Sequence, residues 1–255
     1  MRSSETDATA SPPVPPPVAD RRTMVEEILV VLSLSVLAGA AYGILSLIES
    51  PVSGVVVAAA NQSNAFARQL LAFVFGLAPA FLVLHLVRRS GEGTAAIGLP
   101  EPRFGRDAGR AAILALIVGA AGLAIYLTAV ELGVNRFVVP TPPLGHWWTV
   151  PAVVLNAIEA AAVEEIVVLG YLVTRLQQLS WSAPQAVGAS ALLRGTYHLY
   201  QGWGGFAGNL AMGALFGLLF LRWGRRTWPF LLAHAFLDVG AGVGFILFRD
   251  RLPGF

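Results

Sequence analysis

Three pairs of ionisable residues stand in the carboxyl-terminal half of a chain that is 56% apolar and only 13% charged: Glu164 and Glu165, Arg194 and His198, and His234 and Asp238. The last two pairs are four residues apart, which puts both members on one face of a helix. A carboxylate beside a bound water is a general base. An imidazole followed by an acid four residues on can have its tautomer fixed by that acid, in catalytic and metal sites alike. Arg194 and His198 would present a cation and an imidazole to the two glutamates. At about 100° per residue, Glu164 shares a helix face with Val168, Tyr171 and Arg175, and Glu165 lies about a quarter turn away. One carboxylate can therefore face a pocket while the other engages a neighbouring helix. The same residue types also suit a zinc site or a structural cluster of ion pairs. With no cysteine in the chain, disulfides, thiolate metal sites and cysteine nucleophiles are excluded.

The elements that must carry these residues are read from the solvent they need. Soluble domains are about 25% charged, so the 255-residue chain, at 13% and a mean hydropathy of +0.68, has too few charges to cover a water-facing surface. About 20 apolar residues cross the hydrocarbon core of a bilayer, and seven segments fit: 28–48, 66–87, 108–132, 151–176, 184–199, 206–221 and 228–248. Their apolar runs are continuous rather than alternating, which favours helices over barrel strands. The expected fold is all-α, a polytopic membrane bundle of about seven transmembrane helices, six to eight. At such depth each charge costs about 2.5–3.5 kcal/mol, so a functional site is the default reading of the three pairs.

Three regions follow. Residues 1–24 form a proline-rich tail with no capacity to bury a core, read as a disordered cytoplasmic spacer. Residues 25–150 hold the first helices and an Arg-rich loop, and residues 151–248 hold the ionisable helices. All 17 basic residues are arginine, concentrated in the tail, between the second and third spans, and after the sixth. By the positive-inside rule those segments are cytoplasmic, with the amino terminus inside and the cell membrane as location. The arginines form no single patch, so nucleic acid is excluded as a partner. Expected partners are the bilayer and a membrane-associated peptide or protein. Gly39 and Gly43, Gly213 and Gly217, and Gly240 and Gly244 stand four apart, as in close helix packing. Glu159 is expected to bond within the bundle, Asn209 to bond between helices or reach the cavity, and His85, His146, Tyr200 and Trp203 to lie at interfaces.

The segments EEIVVLGYL (164–172), RGTYH (194–198) and HAFLD (234–238) resemble the three motifs of the CPBP intramembrane proteases. That family includes CAAX prenyl endopeptidases, bacteriocin-processing enzymes and abortive-infection-like proteins. Its motifs are EExxxR, FxxxH and HxxxN or HxxxD on successive membrane helices, and the order and spacing match from about residue 151 to 245. The resemblance implies an intramembrane endopeptidase in which Glu164 activates water with His198 beside it, while His234 with Asp238 stabilises the oxyanion. It implies no cofactor; a zinc enzyme using Glu164, His198 and His234 is the alternative. A catalytically silent scaffold or a proton-coupled transporter would use the same buried groups. Two positions depart from the motifs: Leu169 stands for the arginine and Arg194 for the phenylalanine. The positive charge is thus expected to have moved to the fifth span, with Arg194 pairing with Glu164 or Glu165 rather than extending to headgroups. Counting about 1.5 Å per residue from the ends of their spans gives Glu164, His234 and His198 unequal depths, about 16, 12 and 21 Å, so convergence requires tilt.

Overall fold

A computed structural model describes residues 14, 20–49, 55–57, 65–139 and 144–251. The spacer expected at residues 1–24 lies mostly outside the described residues. The first helix, α1 (Arg21–Ser33), starts inside that region, where Asp20 caps it by accepting hydrogen bonds from the Arg22 and Thr23 amides.

Every expected span is found as helix. Four stretches among the described residues are long and apolar enough to cross a membrane: Phe66–Arg89, Phe104–Glu131, Trp203–Arg222 and Trp228–Phe248. These are the second, third, sixth and seventh expected spans. The other three take different forms. The first is two helices, α1 and α2 (Val36–Glu49), broken where the Ser35 hydroxyl donates back to the Val31 carbonyl at 2.6 Å, a bond that competes with the helical ladder. The second also has a joint, at Leu77 between α3 (Ala65–Gly76) and α4 (Ala78–Arg89), where Pro79 supplies no amide proton. The third is α5 (Phe104–Glu131). The fourth runs unbroken through α6 (Thr149–Val163), a nine-residue π-helical stretch (Glu164–Leu172) and α7 (Val173–Gln178). The fifth, α8 (Ala183–Tyr197), has only 15 residues. The bundle closes with α9 (Trp203–Arg222) and α10 (Trp228–Phe248). Outside the helices, β1 (Val55–Val57) pairs in parallel with β2 (Phe137–Val139), a detail that the continuous apolar runs did not signal.

The arginine-bearing segments meet at one end of the bundle. Arg226 pairs with Asp107 at 2.6 Å, and Arg175 pairs with Glu92 at 2.6 Å while Gln178 donates to the other Glu92 oxygen at 2.7 Å. Thr227 donates its amide to the Gly98 carbonyl and its hydroxyl to Ile97. The π stretch rests on the same turn at Gly170, where a Cβ would stand 2.5 Å from the Ile97 carbonyl oxygen and 3.0 Å from Thr227 Oγ1. The helices bearing the glutamates and His234 thus share one footing.

Helices α8 and α9 pack along Gly213 and Gly217, where added Cβ atoms would fall 3.0 Å from Ala191 Cα and 2.7 Å from a Val187 methyl. Gly39 approaches Tyr197. Gly240 and Gly244 have nothing within 4 Å of an added Cβ, so the expectation of close packing fails for that pair. Their helix turns this face away from its neighbours within the chain.

Candidate active site

The π-helical stretch begins at the first glutamate. Its wider turn, bonded from residue i to i+5, brings successive side chains closer in azimuth than the 100° of an α-helix. Both carboxylates therefore reach one guanidinium: Arg194 Nη2 lies 2.7 Å from Glu165 Oε1 and 3.0 Å from Glu164 Oε2. The two glutamates still divide as the sequence suggests. Glu165 is fully buried and bridges to α8 and α10, and Glu164 lines a cavity.

Arg194 projects from α8 on the same face as Ser190 and His198. Ser190 donates to the Val168 carbonyl at 2.8 Å, tying α8 to the π stretch. An arginine fits at this depth because α9 makes room for it. A Cβ on Gly213 would approach Arg194 Cδ to 3.1 Å, and the guanidinium lies over the Phe216 ring at 5.6 Å. Leu169, in place of the motif arginine, is buried in the core.

His234 stands between two acids. Its Nδ1 is 2.8 Å from Glu165 Oε1 and its Nε2 is 3.4 Å from Asp238 Oδ2. Arg194 Nη2 is 3.0 Å from the same Nδ1. A carboxylate only accepts, so Arg194 Nη2 and His234 Nδ1 both donate to Glu165 Oε1. The three acids, one guanidinium and one imidazole form a continuous network from α6 to α10.

His198 ends α8, and its Nδ1 lies 2.9 Å from the Arg194 carbonyl oxygen. A carbonyl only accepts, so Nδ1 carries a proton, and in the neutral imidazole Nε2 holds a lone pair. That lone pair faces Glu164 Oε1 at 4.0 Å. The turn after His198 is fixed by the loop that precedes α6. Arg136 donates its backbone amide to Gln201 and a guanidine N–H to Tyr200, and Asn135 accepts from the Gly205 amide at 2.7 Å. Gly202 adopts φ 104° in this turn, a conformation suited to glycine. Thus all six residues singled out in the sequence, Glu164, Glu165, Arg194, His198, His234 and Asp238, belong to one cluster. The unequal depth counts are reconciled in their contacts.

Tyr197 is the site residue that the motif reading missed. Its hydroxyl donates to Glu164 Oε2 at 2.8 Å. A buried tyrosine needs a partner for its O–H, and its place beside His198 was the available signal. A cavity of about 240 Å³ is lined by Ser35, Val36 and Gly39 at the α1–α2 break and by Glu159, Ala160, Val163, Glu164 and Tyr197. Glu159 thus shares the cavity of Glu164, and its carboxylate fills the space that a side chain on Gly76 would need. Asn209 donates its side-chain amide to the Gly205 carbonyl in its own helix at 3.0 Å. Of the expected interfacial residues, His85 is exposed and His146 stacks on Trp148 at 4.9 Å. Trp203 is exposed, and Tyr200 lies beside His198 with ring centroids 6.2 Å apart.

For a metal, Glu164, Glu165 and His234 each offer a ligand atom, all within 4.8 Å of one another, a set chemically suited to zinc. The position between them holds Arg194 Nη2, at 3.0, 2.7 and 3.0 Å from the three atoms.

Helices of membrane-crossing length around a buried Glu–Arg–His network define an integral membrane protein of the helical-bundle class. Residues 146–240, a little over a third of the chain, match the family model described as type II CAAX prenyl endopeptidase Rce1-like. The match is consistent with a membrane protease of the CPBP type and takes in every member of the cluster. No curated protein and no solved structure matches the chain.

Proposed function

We propose that this chain is an intramembrane endopeptidase in which Glu164 activates water to hydrolyse a peptide bond of a membrane-associated protein or peptide. One observation carries the reading. Glu164 Oε1 and His198 Nε2 face each other at 4.0 Å as two acceptors, since the Nδ1 proton of His198 is committed to the Arg194 carbonyl. A water between them would donate one hydrogen to each, leaving an oxygen lone pair for attack on the scissile carbonyl. Glu164 takes the water proton as the C–O bond forms and returns it to the leaving nitrogen as the C–N bond breaks. His234 has a carboxylate at each ring nitrogen, and the cluster holds three acids against one guanidinium. We therefore assign His234 two protons, with Glu165 holding the ring through Nδ1–H, Nε2–H passing from Asp238, 3.4 Å away, to the oxyanion, and the Asp238 charge favouring the doubly protonated ring.

Arg194 supplies a fixed positive charge where a zinc enzyme would hold its ion, and this reading uses no metal. The bundle end where the arginines gather is assigned to the cytoplasmic side of the cell membrane, with the amino terminus there.

The test is cleavage of membrane-peptide libraries by the purified protein in liposomes. The native chain should cut, Glu164→Gln and His198→Ala should not, and a chelator should leave the rate unchanged. No cleavage by the native chain would favour a scaffold, and Glu164-dependent proton flux without cleavage would favour a transporter. Loss of activity to the chelator with recovery on added zinc would restore the metalloenzyme.

A further inference from the structure

The two oxygens of Glu164 have different surroundings. Oε2 receives the Tyr197 hydroxyl at 2.8 Å and Arg194 Nη2 at 3.0 Å. Oε1 is the oxygen turned to His198. An arginine and a carboxylate left alone favour a two-oxygen, fork-to-fork pairing, and the terminal torsion of glutamate is broad enough to permit it. That rotation would draw Oε1 away from His198 and undo the facing of the two groups. The Tyr197 phenol opposes it by adding a second bond to the oxygen that already faces Arg194. The ring is itself held. Tyr197 is 9% exposed, its centroid lies 4.7 Å from that of His198, and its Cβ is 3.5 Å from the point where a Cβ on Gly39 would stand.

We propose that Tyr197 is a positioning residue that holds Glu164 in a one-oxygen pairing with Arg194 and so decides which oxygen serves as the base. The proposal rests on the hydrolytic reading of the site and adds to it a residue at a variable position of the second motif. It differs from a structural role, which would show in folding, and from a substrate-binding role, which would show in KM.

The experiment compares native protein with Tyr197→Phe and with p-aminophenylalanine or p-methoxyphenylalanine incorporated at position 197. Removing the hydroxyl should lower kcat roughly 10- to 100-fold, the scale of a misplaced catalytic group, with KM within about twofold and the thermal midpoint unchanged. The amino side chain, which keeps a donor, should recover most of the rate, and the methoxy side chain should not. Native kcat in Tyr197→Phe, a loss confined to KM, or no recovery by the amino side chain would overturn the proposal. Infrared difference spectra, with Glu164→Gln to identify the carboxylate bands, supply a readout independent of turnover. The separation of the two carboxylate stretches should shift toward two-oxygen pairing in Tyr197→Phe. An inactive native chain that shows this shift would sink the hydrolytic reading and leave Tyr197 as the holder of Glu164. An active native chain with no shift would sink the Tyr197 proposal alone.

Discussion

Arg194 and Glu165, 29 residues apart in the chain, meet at 2.7 Å with side chains 2% and 0% exposed. Such a pair is weak evidence of net stability, because desolvation offsets much of its attraction, yet removing one partner strands a buried charge. Arg194→Met should therefore destabilise the protein by about 3–5 kcal/mol. Adding Glu165→Leu should recover much of that loss while leaving the protein inactive. Thermal unfolding in micelles and peptide cleavage check the two effects separately.

The exchanged motif positions make a second prediction. Leu169 follows Glu164 by five residues and Glu165 by four, about one turn along a π-helix, so an arginine at 169 could return over the same carboxylates. Arg194→Phe alone should abolish cleavage. The double variant Leu169→Arg with Arg194→Phe should recover a measurable fraction of it, because one guanidinium again faces the two glutamates. Equal inactivity of the single and double variants, both folded by circular dichroism, would show that position 194 alone can seat the cation.

The site was more legible in the sequence than the rods that carry it. Ionisable residues in apolar runs announce themselves by their cost, and i,i+4 spacing survives any moderate bend in a helix. Arg194 could be assigned a carboxylate partner for the same reason. What periodicity could not supply was the π-helical turn at Glu164, which changes the angle per residue without changing composition. Nor could hydropathy reveal the break at Ser35, since a serine that bonds back to a carbonyl reads as a tolerable residue in an apolar run. Tyr197 escaped because an aromatic residue on a membrane helix is ordinarily packing, and only the 2.8 Å contact with Glu164 distinguishes it.

Glycines on two helices give a third, graded test. Gly213→Ala would set a Cβ 3.0 Å from Ala191 Cα and 3.1 Å from Arg194 Cδ. The first contact is with backbone and cannot yield cheaply, so α8 and α9 should separate at a cost of roughly 1–3 kcal/mol. Activity should fall as well, because Arg194 is displaced with α8. Gly240→Ala meets nothing within 4 Å and replaces a poor helix former by the best one. It should leave cleavage unchanged and the thermal midpoint equal or higher. Equal effects from the two substitutions would contradict the packing described for α8 and α9.

The adjacent glutamates offer the sharpest separation of roles, because one change of charge can be made at each with almost no change of volume. Glu165→Gln weakens two buried charge-assisted bonds, to Arg194 and to His234, and should lower stability by about 1.5–3 kcal/mol. Its loss of activity should follow from disorder in that network. Glu164 lines the cavity, and a glutamine there can still accept from Tyr197 and Arg194 through its carbonyl oxygen. Glu164→Gln should therefore unfold within about 1 kcal/mol of native, since most of the buried network is kept. Its rate should fall by about 10²–10⁴, the contribution of a positioned general base. Measuring cleavage and thermal midpoint on both variants places the base: a Glu164→Gln protein that folds normally and still cuts at the native rate would move that role away from Glu164.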